Sequence, residues 1–300
     1  MSDIKEALDK LQIERNRVGA RAELEPAEAT QPLVVFMTPA LDHCVTLGYL
    51  KSYVETAALL SLHGWATSFQ SFGGDPYLAK VRNLLVSTCL KRFPAATDLF
   101  FLDADLEWDA PSVLRSVQHP ADIVAGVYPK KTDKPDFPCD LMAEKESGKL
   151  IEKDGLYRAV MVPTGFLRVR RHVYAAMAAQ SLRYQDGTGN NEECWNIFEM
   201  GFHAEKQPNG MDGQWWGEDY AWCRKAQEMG YEIYVDPNVV FGHRGAKTWR
   251  YEFKHAVESY RDGKAEVKDR RVPEGAAAKA PVGEPGAVSD AYEAAPLAAE

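Results

Sequence analysis

The 300-residue chain has few cysteines, no long apolar run and no surplus of positive charge. Its five cysteines, Cys44, Cys89, Cys139, Cys194 and Cys223, are odd in number, scattered and without a CxxC pair. Neither a disulfide framework nor a zinc knuckle is therefore expected. No stretch approaches the ~18 uninterrupted apolar residues of a membrane span. The opening MSDIKEALDK lacks the basic-then-apolar build of a secretory leader, so the expected location is cytoplasmic, or the host cytoplasm for a phage-encoded chain. Acids outnumber bases, 44 Asp+Glu against 35 Lys+Arg, for a net charge of -9. That balance disfavours a grip on nucleic acid by bulk electrostatics. No internal repeat is visible.

What is present describes a soluble globular protein: 45% hydrophobic and 26% charged residues, with a mean hydropathy of -0.37. The charge is uneven, since residues 274 to 300 alone carry -4 of the -9. This Ala-, Pro-, Gly- and Glu-rich segment has too few large apolar residues to offset its ordering entropy and is expected to be a disordered tail. At the other end, Ile4, Leu8, Leu11 and Val18 recur at helical spacing, which predicts an amphipathic helix and linker over 1–30, either lying on the body or serving self-association into a homo-oligomer. Residues 251–273, with Phe253, Val257 and Tyr260 at helical spacing, predict a closing helix.

Between these ends, 31–250 predict one α/β domain. LVVFM at 33–37 predicts a buried strand, Val45 to Leu62 a helix and Trp65 to Phe72 the next strand. PYLAKVRNLLVSTCLKRF predicts a helix with Leu78, Val81, Leu84, Leu85 and Thr88 on one face. DLFFLDAD at 98–105 and ADIVAGVYP at 121–129 predict two further strands. Such an alternating order calls for a mixed, mostly parallel sheet with helices on both faces, whose ligands gather at the carboxyl ends of the strands. Downstream, 156–171 predict two strands meeting at Pro163-Thr164-Gly165, followed by a helix from His172 to Gln180. Residues 217–230 predict a helix and 231–245 a strand, turn and strand.

The chemistry centres on Asp103-Ala104-Asp105. Spacing alone means little: with 44 acids in 300 residues, chance supplies about six acid-x-acid triplets, so position has to distinguish this one. Two aspartates at the carboxyl end of a central buried strand sit in the ligand crevice, where they need a cation or a proton. Hard oxygen ligands favour Mg²⁺ or Mn²⁺; solvated turn aspartates are the simpler alternative. Glu218 and Asp219 follow Gly217 at a helix start, where a capping role accounts for them by itself. His243 follows the strand VVFG, a position suited to a third metal ligand or to a structural histidine. The ordered set of all three is more specific than any one of them.

Thr38-Pro39 after the first strand, the Ala79-x-x-Arg82-Asn83 helix, LFFLDAD, VPTGFLRVRR, GEDYAWCRKAQEMGYEIYVDP and GHRG together resemble nucleotide-sugar glycosyltransferases of the GT-A fold (Rossmann-like), close to family-2-like enzymes including bacteriophage members. The resemblance spans about residues 33–250. It implies a hexosyltransferase using a nucleoside-diphosphate sugar, UDP-linked, with Mn²⁺ or Mg²⁺. By the same resemblance Asp103 and Asp105 match the Asp-x-Asp, with Ala104 between them facing the donor, and His243 shares their metal shell. Thr38, Pro39 and Ala40 would lie against the base, Arg82 and Asn83 beside the donor, and Thr164-Gly165 beneath the transferred sugar. Lys130 and Lys247 are candidate phosphate contacts, although adjacent lysines such as Lys130 and Lys131 usually form a solvated face. In an inverting enzyme Asp219 would be the base, with Glu218 the immediate alternative.

His243, Lys247 and Trp249 also resemble the end of glycogenin-like retaining enzymes, with shorter spacing, so stereochemistry stays open. Trp195, Trp215 and Trp216 among Gly and Asn suggest an acceptor region from Gln185 to Trp216, the alternative being a loop pinned by its tryptophans. A glycan or a hydroxymethylated DNA base is the expected acceptor. A metal-dependent nucleotidyltransferase and a non-catalytic sugar-nucleotide-binding module are the other readings.

Overall fold

The computed structural model describes residues 31–187, 192–204 and 210–265. The N-terminal helix and the acidic tail expected from the sequence lie outside these residues, as does the C-terminal end of the closing helix.

The described chain is a mixed α/β structure. Its nine-stranded sheet runs β2 (Ala66–Gly73), β1 (Leu33–Ala40), β3 (Asp98–Leu102), β9 (Phe166–Arg170), β5 (Ile123–Ala125), β14 (Ile233–Val235), β8 (Leu156–Met161) and β6 (Asp140–Leu141), with β7 (Glu152–Lys153) also paired to β8. Ladders β1–β2, β1–β3 and β5–β14 are parallel, and β9 and β8 are antiparallel to each of their neighbours. Seven of the nine strands thus point one way, although five of the eight ladders are antiparallel because β9 and β8 run against their neighbours.

Strand alternation feeds two cores. Val34, Phe36, Phe100 and Leu102 face α1 (Leu47–Leu62) and α3 (Ala110–Gln118). Val35, Met37, Leu99 and Phe101 face the opposite core, with α2 (Leu78–Arg92), α4 (Arg171–Ala179), α5 (Glu218–Glu228) and α6 (Phe253–Arg261). Caps set two helix starts: the Thr46 hydroxyl accepts from Tyr49 N at α1, and the Asp109 carboxylate accepts from Ser112 N at α3.

Helix α2 departs from the one-face pattern: Ala79, Val81 to Ser87, Cys89 and Leu90 are all buried. The sheet covers one side of it, and the hairpin of β10 (Arg183–Gln185) and β11 (Glu193–Trp195) with the loop after it covers another. Asn83 and Ser87 are therefore not surface groups; Ser87 Oγ accepts from Trp195 N at 3.0 Å.

The run expected as one strand over 98–105 ends at Leu102. Asp103 to Asp105 form a turn, and the chain continues as β4 (Leu106–Glu107) into a second sheet, β16–β15–β4, with β15 (Val240–Arg244) and β16 (Thr248–Glu252). A third small unit pairs β12 (Gly201–His203) with β13 (Gln214–Trp216).

Candidate active site

The turn between the two sheets positions the central groups. Asp103 N donates to Gly165 O at 2.8 Å, Leu106 N closes the turn onto Asp103 O at 3.1 Å, and Thr46 N reaches Ala104 O at 3.1 Å. The antiparallel β4–β15 ladder then sets His243 opposite Leu106, and Arg244 N donates to Asp105 O at 2.9 Å. A histidine 138 positions from Asp105 in the chain is thereby brought to its side chain: His243 Nε2 lies 3.6 Å from Asp105 Oδ2.

The histidine's tautomer follows from its other nitrogen. Nδ1 is 2.7 Å from Pro129 O, and a carbonyl only accepts, so Nδ1 carries the proton and donates. In the neutral ring Nε2 is then a lone pair facing a carboxylate oxygen, an arrangement that a cation shared between them would suit. Tyr128 packs edge-on against the imidazole, ring centroids 5.0 Å apart. Burial penalises the Asp105 carboxylate, but its pairing with His243 and Lys131 outweighs that penalty and holds Asp105 below the usual carboxylate range. The donor set of one carboxylate and one oriented imidazole therefore fits a divalent ion with room for further ligands. Among the described residues no group of three or more His, Cys, Asp or Glu side chains is gathered as a ready cage.

Asp103 is held differently. Arg82, 1% exposed on α2, donates from Nη2 to Asp103 Oδ1 at 3.0 Å and from Nη1 to Thr164 O at 3.3 Å. The Tyr128 hydroxyl reaches Asp103 Oδ2 at 3.4 Å. Burial works against the Arg82 charge, yet Asp103 and Asp219 push its pKa above the ordinary arginine value. Arg82 is thus the fixed positive charge that lets two carboxylates share the crevice.

Asp219 sits in the first turn of α5, and its carboxylate accepts from the Thr164 hydroxyl. The residue is only partly exposed, and its carboxylate is closely surrounded by protein atoms. Burial, reinforced by Glu218 and Asp103 and opposed by Arg82 and the Thr164 hydrogen bond, raises its pKa from 3.8 to about 6. Of the two successive acids, Asp219 is the one that touches Thr164. Gly165 is needed for packing: a Cβ there would lie 2.2 Å from Asp103 Oδ2 and 2.5 Å from the Tyr128 hydroxyl. The close approach it permits is that of Asp103 and Tyr128.

At the end of β1, Thr38 and Ala40 are buried, and the Thr38 hydroxyl is paired with the Tyr49 hydroxyl. The remaining expected residues stand further out. The Asn83 amide is engaged with the loop after β11: Oδ1 accepts from Ile197 N and Phe198 N at 2.9 and 2.7 Å, and Nδ2 donates to Asn196 Oδ1 and Phe198 O. Lys130 pairs with Asp136 at 2.8 Å, and Lys247 with Asp133. Two groups were not singled out from the sequence, Tyr49 and Tyr128; Lys131, named there beside Lys130 as a member of a solvated face, has its Nζ 2.5 Å from Asp105 Oδ2. Of the two adjacent lysines, Lys131 reaches this carboxylate while Lys130 pairs with Asp136. Nothing in composition marks that choice.

No family model and no curated protein matches the chain. The solved structures similar to it include the following three. One is a glycosyltransferase involved in the glycosylation of the major capsid of PBCV-1, at 12% identity and TM-score 0.29, covering 49% of this chain and 65% of that one. Another is the catalytic domain of Drosophila β1,4-galactosyltransferase 7 in complex with xylobiose, at 14% and 0.41, covering 79% and 83%. A third is 4-diphosphocytidyl-2C-methyl-D-erythritol synthase from Anaerococcus prevotii, at 8% and 0.28, covering 48% and 74%. The chain spans just under two thirds of the first of these. These likenesses are distant, and the chemistry of the site rests on its own side chains.

Proposed function

We propose that the protein is a metal-dependent glycosyltransferase of GT-A type that moves a sugar from a nucleoside-diphosphate sugar, UDP-linked, to an acceptor hydroxyl. The observation that carries this reading is the convergence beyond the carboxyl end of β3 of Asp105 with an oriented His243, near an Asp219 whose pKa is raised to about 6.

In this reading Asp105 and His243 hold Mn²⁺ or Mg²⁺, which when bound would stabilise the departing diphosphate. Asp103 is a positioning group, fixed by Arg82 and the Gly165 carbonyl, that sets the turn presenting Asp105. Thr38, Pro39 and Ala40 form the wall for the base. Asp219 Oδ2 or Oδ1 takes the proton of the acceptor hydroxyl as that oxygen attacks the anomeric carbon and the bond to the diphosphate oxygen breaks. A carboxylate titrating near 6 is ionised at neutral pH yet basic enough to accept that proton. This is direct displacement with inversion.

The acceptor platform in this proposal is the β12–β13 hairpin leading into α5. Trp216 is buried, stacked on His203 with centroids 3.9 Å apart and edge-on to Tyr220. Its neighbour Trp215 points the other way and is exposed, as is its cross-strand partner Phe202. An exposed aromatic pair on the hairpin that leads into the helix of the proposed base suits the apolar face of a sugar ring or a nucleobase.

The test is a panel of sugar nucleotides with Mn²⁺ and candidate acceptors, glycans and hydroxymethylated DNA, read by nucleoside diphosphate release and product mass. Asp105→Ala and His243→Ala should each abolish release above background. Full turnover in either variant refutes the metal site, and release of pyrophosphate in place of a nucleoside diphosphate identifies a nucleotidyltransferase.

A further inference from the structure

We propose that Lys131 is the resident counter-ion of Asp105, holding the cation position of this site until a divalent ion displaces it. The inference rests on the metal-dependent reading above. Its geometric basis is a single shared atom: Asp105 Oδ2 receives Lys131 Nζ at 2.5 Å and faces His243 Nε2 at 3.6 Å. The oxygen that a divalent ion would share with His243 is therefore the one the ammonium already neutralises. An ammonium and a divalent ion cannot both sit against that oxygen without strong mutual repulsion.

The lysine is built to leave. It is half-exposed, and its partner is half-exposed as well, so the pair is screened and individually weak. A lysine carries a compact charge on a flexible four-carbon stem, and this stem runs past Gly245, where an added Cβ would come within 3.1 Å of Lys131 Cδ. Its neighbour Lys130 is turned outward to Asp136, so the two adjacent lysines have different work. Displacement leaves the Lys131 ammonium next to the ion, and so next to any anionic group that the ion brings in. Metal affinity without donor is lowered by the competition, and metal and donor bind better together than apart.

The decisive measurement is Mn²⁺ binding to the full-length protein without donor, read from the electron paramagnetic resonance signal of free Mn²⁺. Lys131→Met should bind Mn²⁺ about 3- to 10-fold more tightly than the wild type, the size expected for removing one competing half-exposed charge. Lys131→Arg should stay near the wild type, and Asp105→Asn should lose the site. Circular dichroism melting without metal checks that all variants are folded. If Asp105-dependent binding is equal or weaker in Lys131→Met, or if Lys131→Arg binds as tightly as Lys131→Met, the counter-ion role is refuted while the metal site stands. If neither the wild type nor Lys131→Met shows Asp105-dependent binding, the metal reading falls and this inference with it.

Discussion

Replacing Asp219 by Asn should abolish transfer and at the same time make the protein more stable at neutral pH. The native pKa of about 6 lies above the ordinary 3.8, so between those values the folded state binds more protons than the unfolded chain. Stability therefore falls as pH rises through that window, and the full penalty is present above pH 6. Two pH units at about 1.4 kcal/mol each give about 3 kcal/mol, and the partial opening of the carboxylate to solvent reduces this to about 1–2 kcal/mol. Asn mimics the neutral form at every pH, and its carbonyl can still accept from Thr164. For a body of roughly 220 residues, 1–2 kcal/mol corresponds to a Tm increase of about 2–8 °C. Melting curves of wild type and Asp219→Asn from pH 3.5 to 8 give the difference directly. It should be near zero below pH 4, grow between pH 4 and 6, and level off above. A difference that is flat across this range, or a variant less stable at pH 7.5, would refute the reasoning.

Further expectations separate structural from chemical roles. Thr164→Val removes a hydrogen bond that favours the Asp219 carboxylate, so the acidic limb of the kcat/KM profile should move to higher pH; an unmoved limb would argue against Asp219 as the titrating base. Gly165→Ala forces a Cβ into Asp103 and Tyr128, which should cost about 1–3 kcal/mol and lower turnover about 10²-fold by shifting the Asp-x-Asp turn. Arg168, fully buried against Asp98, donates to the carbonyls of Ser116, His119, Ala121 and Asp122. Arg168→Met should lose about 3–5 kcal/mol in urea unfolding, with donor KM unchanged in the folded fraction.

The sheet was legible because its signals are local: buried apolar runs at 33–37 and 98–102, the second closed by Asp103, and helices bounded by His63-Gly64 and by Gly230; Thr38-Pro39, expected to end the first run, lies inside β1. What the sequence could not supply is pairing. The antiparallel insertion of β9 between β3 and β5, and the second sheet that carries His243 to Asp105, depend on which strands meet after folding, and no residue pattern encodes that register. The same holds for Arg82 and Asn83. Adjacent on one helix, they resemble a donor-binding pair, yet Arg82 turns to Asp103 and Asn83 to the loop at Phe198. Successive helix positions point about 100° apart, so two flanking layers divide them. The arginines of VPTGFLRVRR likewise split between Arg168 and Arg170 at Asp98 and Arg171 at the Leu90 carbonyl.

Net charge gives little guidance to this site, because its carboxylates are matched locally. Asp103 meets Arg82, Asp105 meets Lys131, Glu107 meets Arg250, Asp133 meets Lys247 and Asp136 meets Lys130. Of these five pairs, that of Arg82 has the buried cation; the others are partly or largely open to solvent and individually weak. In the proposed reading, an incoming diphosphate would meet a rim whose lysines exchange partners at little cost, above the buried Arg82. Each lysine drawn to phosphate would leave a carboxylate in want of a cation, and at Asp105 the oriented His243 would make a divalent ion the favoured replacement. Metal and donor would then be coupled through that exchange, and by linkage each would raise the affinity of the other by the same factor.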